Sequence, residues 1–119
     1  MKKLLSITAL LFCMCGYAYA EIIYCKVESV FVCSSTGCKQ TKSETFINLD
    51  TERNIYQRGD SKGIDTYNMN TYKSGNFITA EVPGIASLKI DVADTMNFVE
   101  IVQLGLTTYN NFGKCKLNT

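Results

Sequence analysis

Six cysteines, eleven acidic side chains and no histidine frame the chemistry open to this chain. Without histidine there is no His-based triad, no His metal site and no usual general base near neutral pH. Hydroxyls such as Ser61 and Ser74 need an adjacent base before they can act as nucleophiles. Their neighbours Lys62 and Lys73 lie in turn-like stretches, where an amine keeps its proton at neutral pH. Carboxylate pairs are the one remaining acid–base arrangement. Asp60 and Asp65 flank a loop, and Glu81, Asp91 and Glu100 lie far apart in the chain. Turn chemistry accounts for Asp60 and Asp65, and with Ser61 they lack the ligand spacing of an EF-hand. Arg58-Gly59-Asp60 spells the integrin-recognition tripeptide, but Gly and Asp are also what a hairpin turn uses. The expectation is a non-enzyme that carries neither cofactor nor metal.

The cysteines say more once the first twenty residues are set aside. Lys2 and Lys3 precede an apolar run from Leu4 to Cys15, broken only by Ser6 and Thr8, and Ala18-Tyr19-Ala20 closes it. A basic start, an apolar stretch of about twelve residues and an A-x-A site read as a secretory signal cleaved after Ala20. The run is too short for a transmembrane span, which needs about twenty apolar residues. Phe12 before Cys13 and Met14 before Cys15 do not make a lipoprotein site. Residues 1–20 are therefore expected to be a signal peptide, and 21–119 one mature domain with no membrane span.

That domain loses Lys2 and Lys3, so ten basic residues face eleven acidic ones. A strongly basic nucleic-acid face is excluded at this charge. Cys25, Cys33, Cys38 and Cys115 remain. Four cysteines bound for an oxidising compartment read as two disulfides. A zinc site would want a second cysteine knuckle or histidines, and neither is present.

The mature chain is a series of short apolar or β-branched runs broken by turn residues. Eight strands are expected, at 22–33, 45–49, 55–58, 65–72, 77–82, 85–92, 98–106 and 114–117. Turns are expected at Ser34–Gly37, Asp50–Asn54, Gly59–Gly63, Lys73–Asn76, Pro83-Gly84 and Tyr109–Gly113. Alternation puts Ala86, Leu88, Ile90 and Val92 on one face and Ser87, Lys89 and Asp91 on the other. Ile78, Ala80 and Val82 oppose Thr79 and Glu81 in the same way. One buried and one wet face per strand describes an all-β antiparallel barrel or sandwich of eight strands. Three disulfide pairings are open. Cys25 on the first strand and Cys115 on the last would seal a barrel seam, and Cys33–Cys38 would clip the first hairpin.

Two resemblances follow from longer motifs. Tyr24-x-Cys25-x7-Cys33-x3-Gly37-Cys38, then Tyr56-x-Arg58-Gly59-Asp60-x-x-Gly63-Ile64-Asp65-x-Tyr67 and Phe98-Val99-Glu100, resemble a group of small uncharacterised exported proteins of alphaproteobacteria. That resemblance covers nearly all of the mature chain and implies export and this fold. In that group the positions of Gly59 and Ile64 are cysteines forming a further bridge, which this chain lacks. Tyr24-x-Cys25, Ser74-Gly75 and Cys115-Lys116-Leu117 are also similar to the inhibitors of C-type lysozyme. Those are exported eight-stranded barrels in which a Ser-Gly-x-x-Tyr loop enters the lysozyme cleft. Here the loop reads Ser74-Gly75-Asn76-Phe77-Ile78, without the arginine-tyrosine end.

Two functions follow as expectations. The first is an exported binding protein of the bacterial envelope, periplasmic or secreted, acting on a protein such as a lysozyme-like hydrolase. Its candidate partner-binding turn is Lys73, Ser74, Gly75 and Asn76. The second is a carrier of a small apolar ligand inside the barrel, lined by Tyr67, Met69, Ile78, Leu88 and Ile90.

Overall fold

The computed structural model describes residues 22–117; the expected signal peptide lies outside the described residues. Ten strands form one antiparallel sheet: β1 (Ile22–Ser34), β2 (Gly37–Thr41), β3 (Phe46–Asp50), β4 (Ile55–Asp60), β5 (Gly63–Asn68), β6 (Asn70–Ser74), β7 (Phe77–Val82), β8 (Ala86–Asp91), β9 (Asn97–Leu104) and β10 (Thr107–Leu117). The order is β5-β4-β3-β1-β10-β9-β8-β7-β6, with β2 added to β1. First and last strands are thus neighbours, and the sheet curls into a nearly closed barrel. β5 and β6 sit at its two ends and share no ladder; a single residue, Met69, separates them in the chain.

β1 has thirteen residues because it serves three partners. Along one edge it pairs with β10 from Ile23 to Cys33. Along the other, Ile22–Lys26 pair with β3 and Val30–Ser34 with β2. A bulge at Val27–Ser29 makes this hand-over possible. The extra residue shifts the side-chain alternation by one. Ile23, Cys25 and Val27 are buried before it, and Val30 is buried after it. Opposite the bulge, Gly113 lies so close to β1 that a Cβ there would stand 2.0 Å from the Lys26 carbonyl oxygen.

The ten strands correct the expected eight in three places. β2 continues past the Ser34–Gly37 turn, because the Cys33–Cys38 bridge holds Gly37–Thr41 against β1. The expected strand 65–72 divides at Met69, whose side chain is buried and whose amide bonds the Asn54 carbonyl 2.9 Å away. The expected turn Tyr109–Gly113 is strand, since every residue of it pairs with β1 and β9. Local Asn/Gly composition there is overridden by ladders on both sides.

The core fills the barrel with Ile23, Val27, Ile47, Leu49, Leu88, Ile90 and Phe98 among its buried members. Ala86, Leu88 and Ile90 point in and Ser87 and Lys89 point out, as the alternation predicts. Both bridges join directly opposed residues, Cys25 with Cys115 across the β1–β10 seam and Cys33 with Cys38 in the first hairpin. Cys25 and Cys115 are buried, so the seam is covalently closed inside the core. Two such bridges mark a chain matured in an oxidising, non-cytoplasmic compartment. No helix among the described residues is long and apolar enough to cross a membrane.

Candidate functional site

Inward-facing residues form continuous rows across the sheet. One row runs Val30, Asn111, Glu100, Leu88, Ala80, each opposite the next on an adjacent strand. Glu100 therefore stands inside the core with no solvent exposure. A buried carboxylate costs several kcal/mol unless it is paired and fully hydrogen-bonded. The far wall supplies the partners. Tyr56 and Arg58 project from β4, which the curl of the sheet brings opposite β9.

Tyr56 Oη donates to Glu100 Oε2. Arg58 adds a forked pair, Nε to Oε2 at 3.2 Å and Nη2 to Oε1 at 3.1 Å. Asn111 Nδ2 donates to Oε1 at 2.7 Å. Four hydrogen bonds match the roughly four acceptor positions of a carboxylate. Burial, followed by the charge of Glu100 and the bond donated to it, holds the Tyr56 hydroxyl far above the ordinary tyrosine range. Burial on its own would lower the Arg58 value, but the hydrogen bond and charge of Glu100 outweigh it, so the guanidinium holds its proton more firmly. Glu100 has no acceptor left for a substrate proton. The cluster is a cross-barrel tie.

The outer side of that tie opens on a cleft of about 290 Å³. Val30, Val32, Val102, Leu104 and Tyr109 give it an apolar side and Thr41, Ser43, Thr45 and Asn111 a neutral polar one, with Arg58 at the base and Lys42 at the rim. Among the described residues no acidic side chain lines it. The strand extension past the bulge makes this space: β1, β10 and β9 run beyond the start of β3, and the β2–β3 connection walls the gap.

The structure spreads the other expected site residues apart. Lys73, Ser74, Gly75 and Asn76 form an exposed hairpin tip; Gly75, with φ 59°, and Asn76 make its two-residue loop. Glycine at the first loop position with positive φ matches the type II′ turn that suits twisted strands. Asn76 is tied at its base by the Val92 amide, 3.1 Å from the Asn76 carbonyl. Glu81 is exposed on the outer face while Glu100 points inward, so these two carboxylates lie on opposite faces of the sheet. Asp60 accepts the Lys62 amide at 2.8 Å, and only Ser61-Lys62 form the loop expected over Gly59–Gly63. Arg58-Gly59-Asp60 lies within β4, and its arginine is held by Glu100. Gly59 stands directly opposite Ile64 across the β4–β5 ladder. Tyr67, Met69, Ile78, Leu88 and Ile90 all belong to the packed core or lie against it.

Sequence reading missed the tie. Its one available signal was Glu100, an acid in phase with inward Phe98 and Val102 within an apolar run. Tyr56 and Asn111 carry no local mark. No protein-family model, curated protein or solved structure matches the chain.

Proposed function

We propose that this chain is an exported, non-enzymatic binding protein of the bacterial envelope, periplasmic or secreted, acting on a protein partner such as a lysozyme-like cell-wall hydrolase. The observation that carries this reading is the Lys73–Asn76 hairpin. Its backbone is anchored through Asn76, and beside it Tyr72 and Phe77 are 55% and 43% exposed. Cross-strand pairing of Ser74 with Phe77 and of Tyr72 with Thr79 puts both rings on the outer face. Rigid aromatic side chains left in water beside a fixed turn suit an interface anchor. Titration against a panel of lysozymes tests the reading, with Ser74→Trp as the disrupted control. Binding by the native chain that the tryptophan abolishes supports it; no binding across the panel removes it.

The cleft favours a second reading, carriage of a small apolar ligand, seated at the strand extension rather than among the packed core residues. Native mass spectrometry of protein purified from its own host tests it, with a co-purified ligand as the supporting result and bare protein as the opposing one.

A further inference from the structure

We infer that the cleft between β1, β9, β10 and the β2–β3 connection takes a small apolar monocarboxylate, with its carboxylate on Arg58 and Lys42. This rests on the carriage reading and adds the chemical class of the ligand. Three observations converge on it.

The walls formed by Val32, Val102, Leu104 and Tyr109 offer an apolar surface that hydrocarbon fills better than water does. The volume of about 290 Å³ equals about ten water-sized volumes, so the occupant has about ten non-hydrogen atoms. The charged side chains of the site, Arg58 and Lys42, are both cations, and they stand beside the neutral Thr41, Ser43, Thr45 and Asn111. A guanidinium has five N–H donors, and Arg58 gives two of them to Glu100. The remaining donors bond to no described residue, and the Arg58 side chain keeps 25% of its surface open. Lys42 at the rim is exposed and enters no salt bridge among the described residues.

Glu100 serves this site indirectly. Its fork onto Arg58 fixes the guanidinium plane before a ligand arrives, which lowers the ordering cost of binding. The pair is also close to neutral, so one further anion meets a preset donor array with Lys42 supplying net positive charge. An amine would meet two cations, and a neutral alcohol would forgo the charge-assisted bonds.

Isothermal titration with octanoate, octanol and octylamine separates the claims. Octanoate is expected to bind at least about tenfold more tightly than octanol, the factor corresponding to one charge-assisted hydrogen bond, and octylamine not to bind. Lys42→Glu and Leu104→Glu change exposed positions and leave the core intact. Each is expected to weaken octanoate about fivefold, with thermal unfolding unchanged. Equal binding of octanol and octanoate overturns the carboxylate assignment and leaves carriage standing. No binding of any of the three up to about 1 mM removes both. Tighter capture of a peptide with an apolar carboxyl terminus than of octanoate overturns the small-molecule assignment in favour of chain ends.

Discussion

Tyr56 on β4 donates its hydroxyl proton to Glu100 on β9, two strands separated by β3, β1 and β10 in the sheet. The bond crosses the barrel interior. The β5 and β6 edges share no ladder, so this contact and the Arg58 fork join walls that no backbone pairing joins. Tyr56→Phe leaves one carboxylate position of a fully buried acid without its donor. The expected loss is about 1–3 kcal/mol, read as a lower urea midpoint with unchanged m-value.

Removing the acid should cost more than removing one of its donors. Glu100→Ala strands the half-buried Arg58 guanidinium and leaves Tyr56 and Asn111 without their shared acceptor. Breaking a buried pair from one side costs about 3–5 kcal/mol. Urea unfolding of Glu100→Ala against Tyr56→Phe should show the larger loss for the alanine.

Tyr56 also predicts an alkaline limit. Its value in the folded protein is raised, so the folded state keeps a proton that the unfolded chain releases above about pH 10. Stability from this group is fully present below that pH and falls above it, by about 1.4 kcal/mol per pH unit for one proton. Measuring unfolding free energy between about pH 9 and 11 should show a steeper decline in the native chain than in Tyr56→Phe. Equal slopes would refute the assignment.

Gly113 is set by backbone proximity. An added Cβ would lie 2.0 Å from the Lys26 carbonyl oxygen and 2.8 Å from Phe98 Cε1. The oxygen belongs to β1 and cannot turn aside as a side chain can. Gly113→Ala should cost about 1–3 kcal/mol or more. Gly63→Ala, where a Cβ meets nothing within 4 Å, should be near neutral by the same thermal melt.

The two bridges should contribute unequally. Cys25–Cys115 spans 90 residues and Cys33–Cys38 only five. In the chain-entropy account the longer loop stabilises by about 4.5 kcal/mol and the shorter by roughly half as much. Paired Cys→Ala replacements with denaturant unfolding measure the difference, and non-reducing peptide mapping reads the connectivity.

At the hairpin, Tyr72→Ala with Phe77→Ala removes outward-facing rings. Surface changes of this kind usually stay within about 0.5 kcal/mol in stability. The double variant should therefore melt with the native chain and lose affinity for any lysozyme that the native chain binds in the proposed panel; retained affinity would move the interface elsewhere.

The strand class, the inward set on β8 and the pairing of Cys25 with Cys115 were legible in the residues, because period-two alternation and cysteine placement are local or topological signals. Strand number was not. β2 is exposed throughout and carries no apolar alternation, and Tyr109–Gly113 looks like a turn to any local rule. Both are strand because neighbours on β1 and β9 satisfy their backbone groups. The Glu100 tie lay further out of reach, since Tyr56 is 44 positions away in the chain and meets it only when the sheet curls. The order of residues thus determined which side chains face inward on regularly alternating strands such as β8. Only the closure of the barrel decided which of them touch, because contacts across its interior depend on sheet curvature and strand order.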